Sequence, residues 1–169
     1  QTLLFSATFP QEIVNAASEF MRDPEFVQTN EDEIDLPDVR MMLVQVGRSN
    51  KLWATARVLS HLEEDGQAII FANTKRMVDL LVTRLEKAKF DVDGLHGDLS
   101  QNQRERILGR FREGEVRIIV ATDVAARGID VDTVTQVINY DVPNDMDAFI
   151  HRIGRTGRIG RTGEAWTLV

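Results

Sequence analysis

Residues 68–72 read AIIFA and residues 116–121 read VRIIVA. The first run is too uniformly apolar to have a wet side, which marks a central strand of a parallel sheet. The chain around it alternates. Residues 39–46 form an apolar strand. Ser49 or Asn50 then caps a helix with Leu52, Ala56, Leu59 and Leu62 on its inner face, and Gly66 breaks it. After AIIFA, Thr74 opens a helix that lines up Met77, Leu81, Leu85 and Ala88, and residues 91–95 make a weaker strand. Ser100 and Gln103 have the spacing of a capping box, heading a helix that buries Ile107, Leu108 and Phe111 and stops at Gly114. Strands over 116–121, 134–140 and 165–169 and a short helix over 147–153 complete the series. Such alternation predicts an α/β domain with a mainly parallel sheet and helices on both faces.

The segment before residue 39 reads differently. Residues 2–7 (TLLFSA) suggest a short buried strand. Pro10 starts a helix over 11–21, with Ile13, Ala16, Ala17 and Phe20 on one face, and Pro24 ends it before a short strand over 25–29. Residues 30–38 (NEDEIDLPD) are acidic and contain a proline, the composition of a linker. The expected organisation is therefore 1–29, a linker over 30–38, and a domain over 39–169.

Composition narrows the function classes. The 169 residues hold no cysteine, so disulfides, thiolate chemistry and Cys-type zinc sites are excluded. Three histidines stand far apart, without metal-ligand spacing, and no metal site is expected in this chain. No apolar run approaches the ~20 residues that span a membrane, and the opening QTLLFSATFP is not a signal peptide. An intracellular, cytoplasmic protein is the expectation. A net charge of −7 argues against a globally basic nucleic-acid binder. A local basic site stays open, because charges act within about 8–10 Å at cellular salt.

The segment 151–158 (HRIGRTGR) is such a local site. It spaces Arg152, Arg155 and Arg158 by three, with Gly154 and Gly157 keeping bulk away and no acidic residue among them. Planar, permanently charged guanidinium groups suit phosphate. The segment either presents them to a nucleotide held mostly outside this chain or is a solvated basic loop. Ligands of parallel sheets sit beyond the carboxyl ends of the strands. That rule sets Thr74, Gly97 and Asp98, and residues 122–130 along one edge. Whether the arginines reach that edge is a matter for the tertiary structure.

Residues 121–130 (ATDVAARGID) offer Thr122 at a strand end, small side chains at Ala125 and Ala126, and Asp130 as an acceptor suited to a ribose hydroxyl. An ordinary strand–helix corner, capped by Asp123, would use the same residues. Thr74 is either a phosphate contact at a helix N-terminus or simply an N-cap. Arg104, in the first turn of its helix, calls for an anion or a surface salt bridge. His96 is not expected to act as a ligand or base. No G-x-x-x-x-G-K-S/T occurs in these residues, nor an Asp-Glu pair after an apolar strand, so a phosphate cradle and a magnesium ligand would have to come from elsewhere.

Taken together, Ser6-Ala7-Thr8, Phe71-Ala72-Asn73-Thr74, Gln101-x-x-Arg104, residues 121–130 and residues 151–158 resemble, in order and spacing, motifs III, IV, QxxR, V and VI of the DEAD-box RNA helicases. His151 at the head of the last motif favours that group. The resemblance implies a RecA-like three-layer sandwich: the second of two such domains, preceded by the tail of the first, with residues 30–38 between them. It implies ATP with Mg²⁺ as the nucleotide, the Mg²⁺ ligands lying on the first domain, and single-stranded RNA, held through phosphate and sugar, as partner. Arg155 and Arg158 are then arginine fingers. Asp130 is the ribose contact and Arg127 lies at the nucleotide site. Thr74, Gly97, Asp98 and Thr122 contact RNA. Ser6, Thr8, His151 and Arg152 belong to interdomain coupling, and Gln101 and Arg104 orient the RNA-side loops. A non-catalytic RNA- or protein-binding module of the same fold is the alternative, and an unrelated nucleotide-binding α/β domain is disfavoured by the lack of a Gly-rich loop after its first strands.

Overall fold

Six strands lie side by side because five of the helices between them are amphipathic or short enough to cover the sheet and return the chain in the same direction. The computed structural model describes residues 1–5, 11–27, 38–127, 129, 131, 133–157 and 162–169. In chain order the elements are α1 (Gln11–Phe20), β1 (Val39–Val44), α2 (Lys51–Leu59, entered by a 3₁₀ turn at Arg48–Asn50), β2 (Gln67–Phe71), α3 (Lys75–Lys87) and β3 (Val92–Leu95). They continue with α4 (Gln101–Arg112), β4 (Ile118–Ala121), α5 (Asp123–Ala126), β5 (Val134–Asn139), α6 (Met146–Ile153) and β6 (Gly163–Leu168).

The chain forms two compact units, Gln1–Asp35 and Leu36–Val169. In the first, α1 forms as its periodicity predicts, yet none of its residues is buried. The expected strands are corrected here: residues 2–5 and 25–27 adopt no strand. A strand needs a ladder partner, and the described part of this unit offers none.

In the second unit the sheet order is β1-β6-β5-β2-β4-β3, and every pairing is parallel. All five residues of β2 and all four of β4 are buried, which accounts for their unbroken apolar runs. Alternate β2 residues serve opposite layers. Ala68 and Ile70 pack with Leu59 of α2 and Val78, Leu81 and Leu85 of α3. Ile69 and Phe71 pack with Leu108 and Phe111 of α4, Ala125 of α5 and Ile153 of α6. Helices therefore cover both faces. Truncating Ile70, which is fully buried, to alanine should cost about 2–5 kcal/mol, read as a lower urea midpoint with an unchanged m-value.

Local signals set the element ends. Ser100 and Gln103 form the expected capping box. Gly114 ends the α4 segment with φ 75°, the left-handed conformation glycine adopts freely. Several expectations shift; Ile107, for one, is only partly buried. The first strand stops at Val44, although the Val46 N–H still donates to the Val169 carbonyl (2.7 Å). The buried face of α2 is Ala54, Thr55 and Leu59. That of α3 includes Val78, while Ala88 is its exposed C-cap.

Close packing also decides where β6 begins. A Cβ at Gly163 would press on the Thr156 hydroxyl and come within 2.6 Å of the Gly157 nitrogen. Thr156 is fully buried and donates to the Val134 carbonyl (2.7 Å), so it has little room to give way. Gly163→Ala should therefore destabilise by about 1–3 kcal/mol, measured by urea unfolding of the 169-residue chain.

Candidate nucleic-acid and phosphate interface

The turns after β2, β3, β4 and β5 lie along the carboxyl edge of the sheet, where the sequence positions Thr74, Gly97, Asp98 and Thr122. Thr74, Gly97 and Asp98 are exposed and Thr122 half-buried. Thr74 is the N-cap of α3, its hydroxyl accepting from the Met77 N–H at 3.2 Å. Asp98 is hydrogen-bonded and ion-paired to Lys75, which joins the turn after β3 to the first turn of α3. That hydrogen bond is the main reason the Asp98 carboxyl is held below the usual carboxylate range. The folded state consequently favours the ionised form, and the pair is lost as pH falls through that lowered value. Thr122 donates its N–H to the Leu95 carbonyl (3.2 Å) and carries no side-chain cap bond. His96 is half-buried and its Nε2 lies 3.1 Å from Asp79 Oδ1.

Arg127, read as lying at the nucleotide site, opens the connection from α5 to β5. Arg127 is exposed. Its carbonyl accepts from Arg104 Nη2 at 2.8 Å. Among the described residues, the partner of Arg104 is the backbone of this connection. Gln101 bonds along its own helix to Glu105 (2.7 Å). Arg155, half-buried just past the end of α6, donates from Nη1 to the Ile129 carbonyl (2.8 Å) and from Nε to the His151 carbonyl (3.3 Å). The described hydrogen bonds thus seat Arg155 on the α5–β5 connection at Ile129 and on the last turn of α6 at His151. His151 is exposed. Ser6, Thr8, Asp130 and Arg158 lie outside the described residues.

The three arginines of residues 151–158 are not equivalent. Arg152 is 1% exposed, the largest fully buried side chain described. Its Nε and Nη2 grip Asp123 Oδ1 and Oδ2 at 2.6 and 2.8 Å. Nη1 donates to Asn139 Oδ1 (3.2 Å) and the Asp141 carbonyl (2.7 Å), and Nη2 also to Asn73 Oδ1 (3.0 Å). All five N–H donors of the guanidinium are used, and the Phe71 ring lies 5.1 Å beneath it. An arginine with no acidic neighbour in its own stretch is thus neutralised by Asp123, 29 positions away. The placement of Arg152 faces this unit's own interior.

Sequence reasoning passed over Asn139, Asp141 and Lys51. Asn139 is fully buried and donates to the Thr167 hydroxyl (3.0 Å). An asparagine closing an otherwise apolar strand was the available signal, since a buried amide needs partners. Asp141 accepts the Asn73 N–H at 2.9 Å. Lys51 donates to the carbonyls of Tyr140 (3.1 Å) and Leu168 (2.9 Å), fastening α2 to the ends of β5 and β6.

Comparison with known proteins places this arrangement. Residues 50–160 match the family described as helicase conserved C-terminal domain. Over all 169 residues the chain is 45% identical to the DEAD-box ATP-dependent RNA helicase CshA of Geobacillus kaustophilus, covering 36% of that protein. It is 44% identical to the eukaryotic initiation factor 4A-III homolog B of Oryza sativa, covering 42% of it. The solved structure of S. cerevisiae Dbp5 bound to RNA and ADP BeF₃ superposes on 98% of this chain and 44% of its own, with TM-score 0.82 and 35% identity. The chain thus spans less than half the length of these relatives. A match of this extent, on a six-stranded parallel sheet, means that the chain belongs to the DEAD-box group of the helicase C-terminal domain family and has its RecA-like fold.

Proposed function

We infer that this chain is the second RecA-like half of an ATP-dependent RNA helicase, with residues 1–29 the tail of the first half and residues 30–38 the link between them. The reading rests on one observation above all. Two sets of polar groups sit on one compact unit: the strand-end turns carrying Thr74, Gly97, Asp98 and Thr122, and the α5–β5 connection flanked by Arg127 and Arg155. The first set offers the threonine hydroxyls and the exposed backbone at Gly97, suited to phosphate and sugar oxygens of a single strand, with little sequence preference. The second offers guanidinium groups suited to nucleotide phosphates.

On this reading ATP is cradled, with its Mg²⁺, by residues outside this chain. Arg155 and Arg158 approach the γ-phosphate as that other half closes, Asp130 meets the ribose, and Ser6, Thr8 and His151 join the interdomain contacts. Phosphoryl transfer asks mainly for positioning and charge stabilisation. Placing the fingers on a separate half makes turnover conditional on closure. Because ATP and RNA both favour the closed state, each strengthens binding of the other, and closure on a bent strand disrupts a short duplex.

Two outcomes test this. The 169-residue chain alone should hydrolyse no ATP above background, and robust RNA-stimulated turnover by it would overturn the split site. It should bind single-stranded RNA weakly, with affinity falling steeply between low and high salt as counterions return to the phosphates. A salt-independent affinity in fluorescence anisotropy would remove the phosphate contacts from the proposal.

A further inference from the structure

We propose that Arg152 is a positioning residue, which locks the turns after β2, β4 and β5 to α6 so that the RNA-facing edge and the helix that leads into Arg155 move as one body. The inference rests on the reading of that edge given above, but it concerns a residue that on this geometry touches neither ligand.

The five bonds of the guanidinium reach four residues at the ends of separate strands. Asn73 stands in the turn after β2, next to Thr74. Asp123 opens α5, next to Thr122. Asn139 and Asp141 bracket the end of β5. Arg152 reaches all of these from α6. The turns are also laced to one another, the Asn73 N–H donating to Asp141 and the Thr122 N–H to Leu95. Remove the guanidinium and each turn keeps its own strand but loses the common anchor.

Geometry explains why arginine is required. Side chains on a helix lean toward its N-terminus, which carries a residue in the last turn of α6 back toward the carboxyl edge. Only a planar fork can grip a carboxylate with one side and still donate to three further acceptors. A lysine ammonium keeps the charge but has three donors, and it cannot reach four separated groups at once. Helix α6 ends within two residues of Arg155, whose guanidinium rests on the Ile129 carbonyl beyond α5. A displaced α6 therefore carries the proposed finger with it.

The test uses the 169-residue chain as wild type, Arg152→Lys and Asn73→Ala, the last at an exposed position whose loss spares the Asp123 grip. Amide hydrogen exchange is followed over residues 72–77 and 121–127, with 81–87 and 106–112 as internal controls. A fluorescein-labelled single-stranded oligouridylate is titrated at low salt. Arg152→Lys should stay folded, exchange at least tenfold faster over 72–77 and 121–127, and leave the controls unchanged. Asn73→Ala should speed exchange over 72–77 alone. Both should weaken oligouridylate binding at least fivefold. A uniform rise in exchange, controls included, would mean a merely structural role and overturn the proposal; so would unchanged exchange at both turns in a folded Arg152→Lys. Should Arg152→Lys fail to fold, Asn73→Ala decides alone, and unchanged exchange over 72–77 is then the refuting result. Faster exchange at the turns in a chain whose wild type binds no oligouridylate would uphold the positioning role while refuting the RNA-facing reading of the edge.

Discussion

Replacing Arg155 by alanine, in a protein that joins this chain to the half carrying the phosphate cradle, should lower ATP turnover by about a hundredfold or more, since an arginine finger is worth about 10³–10⁵ in rate. The loss should fall on kcat, because a finger stabilises charge that develops in the transition state rather than binding ground-state ATP. Arg155 is half-buried and its described hydrogen bonds run to the carbonyls of Ile129 and His151. Steady-state kinetics with and without RNA check this; a less than threefold fall in kcat would take Arg155 out of the finger role.

Arg152→Met should act on stability. The substitution keeps most of the side-chain volume but strips the partner from Asp123 and leaves the acceptors of Asn73, Asn139 and Asp141 unmet. Breaking a buried ion pair from one side costs about 3–5 kcal/mol. Asp123 is 36% exposed and can be partly rehydrated, so the lower end, about 3 kcal/mol, is expected. For a domain of this size that is a fall of roughly 6–12 °C in Tm. Pairing it with Asp123→Asn should recover part of the loss, because the uncompensated carboxylate is then gone. Calorimetry of the four proteins of that cycle measures the coupling, and full additivity would deny that the two side chains stabilise one another.

The two arginines show where reading a sequence stops. In the segment 151–158 they look alike, same charge, same spacing, glycine nearby. Position 152 falls in the last turn of α6, beside buried Ile153, and its side chain is drawn inward by a carboxylate 29 positions earlier. Position 155 falls past the C-cap Gly154, where the helix no longer dictates direction. No local pattern carries that distinction, because it depends on which strand ends meet above the sheet. Arg104 makes the same point. Its place in a first helical turn signals an unusual partner, and only the fold reveals that partner as the Arg127 carbonyl.

What the chain's own letters decided is the layer architecture, the capping box at Ser100, the glycine stop at Gly114, the strand-end placement of Thr74, Gly97, Asp98 and Thr122, and the ordered motifs that mark the family. These follow from periodicity, caps and glycine, which act over a few residues. Tertiary structure alone decided the strand order, the inward turn of Arg152, the seat of Arg155 on Ile129, and the absence of strands in residues 2–5 and 25–27. Each depends on partners distant in sequence, and an apolar run becomes a strand only where a neighbouring backbone is present to complete its hydrogen bonds.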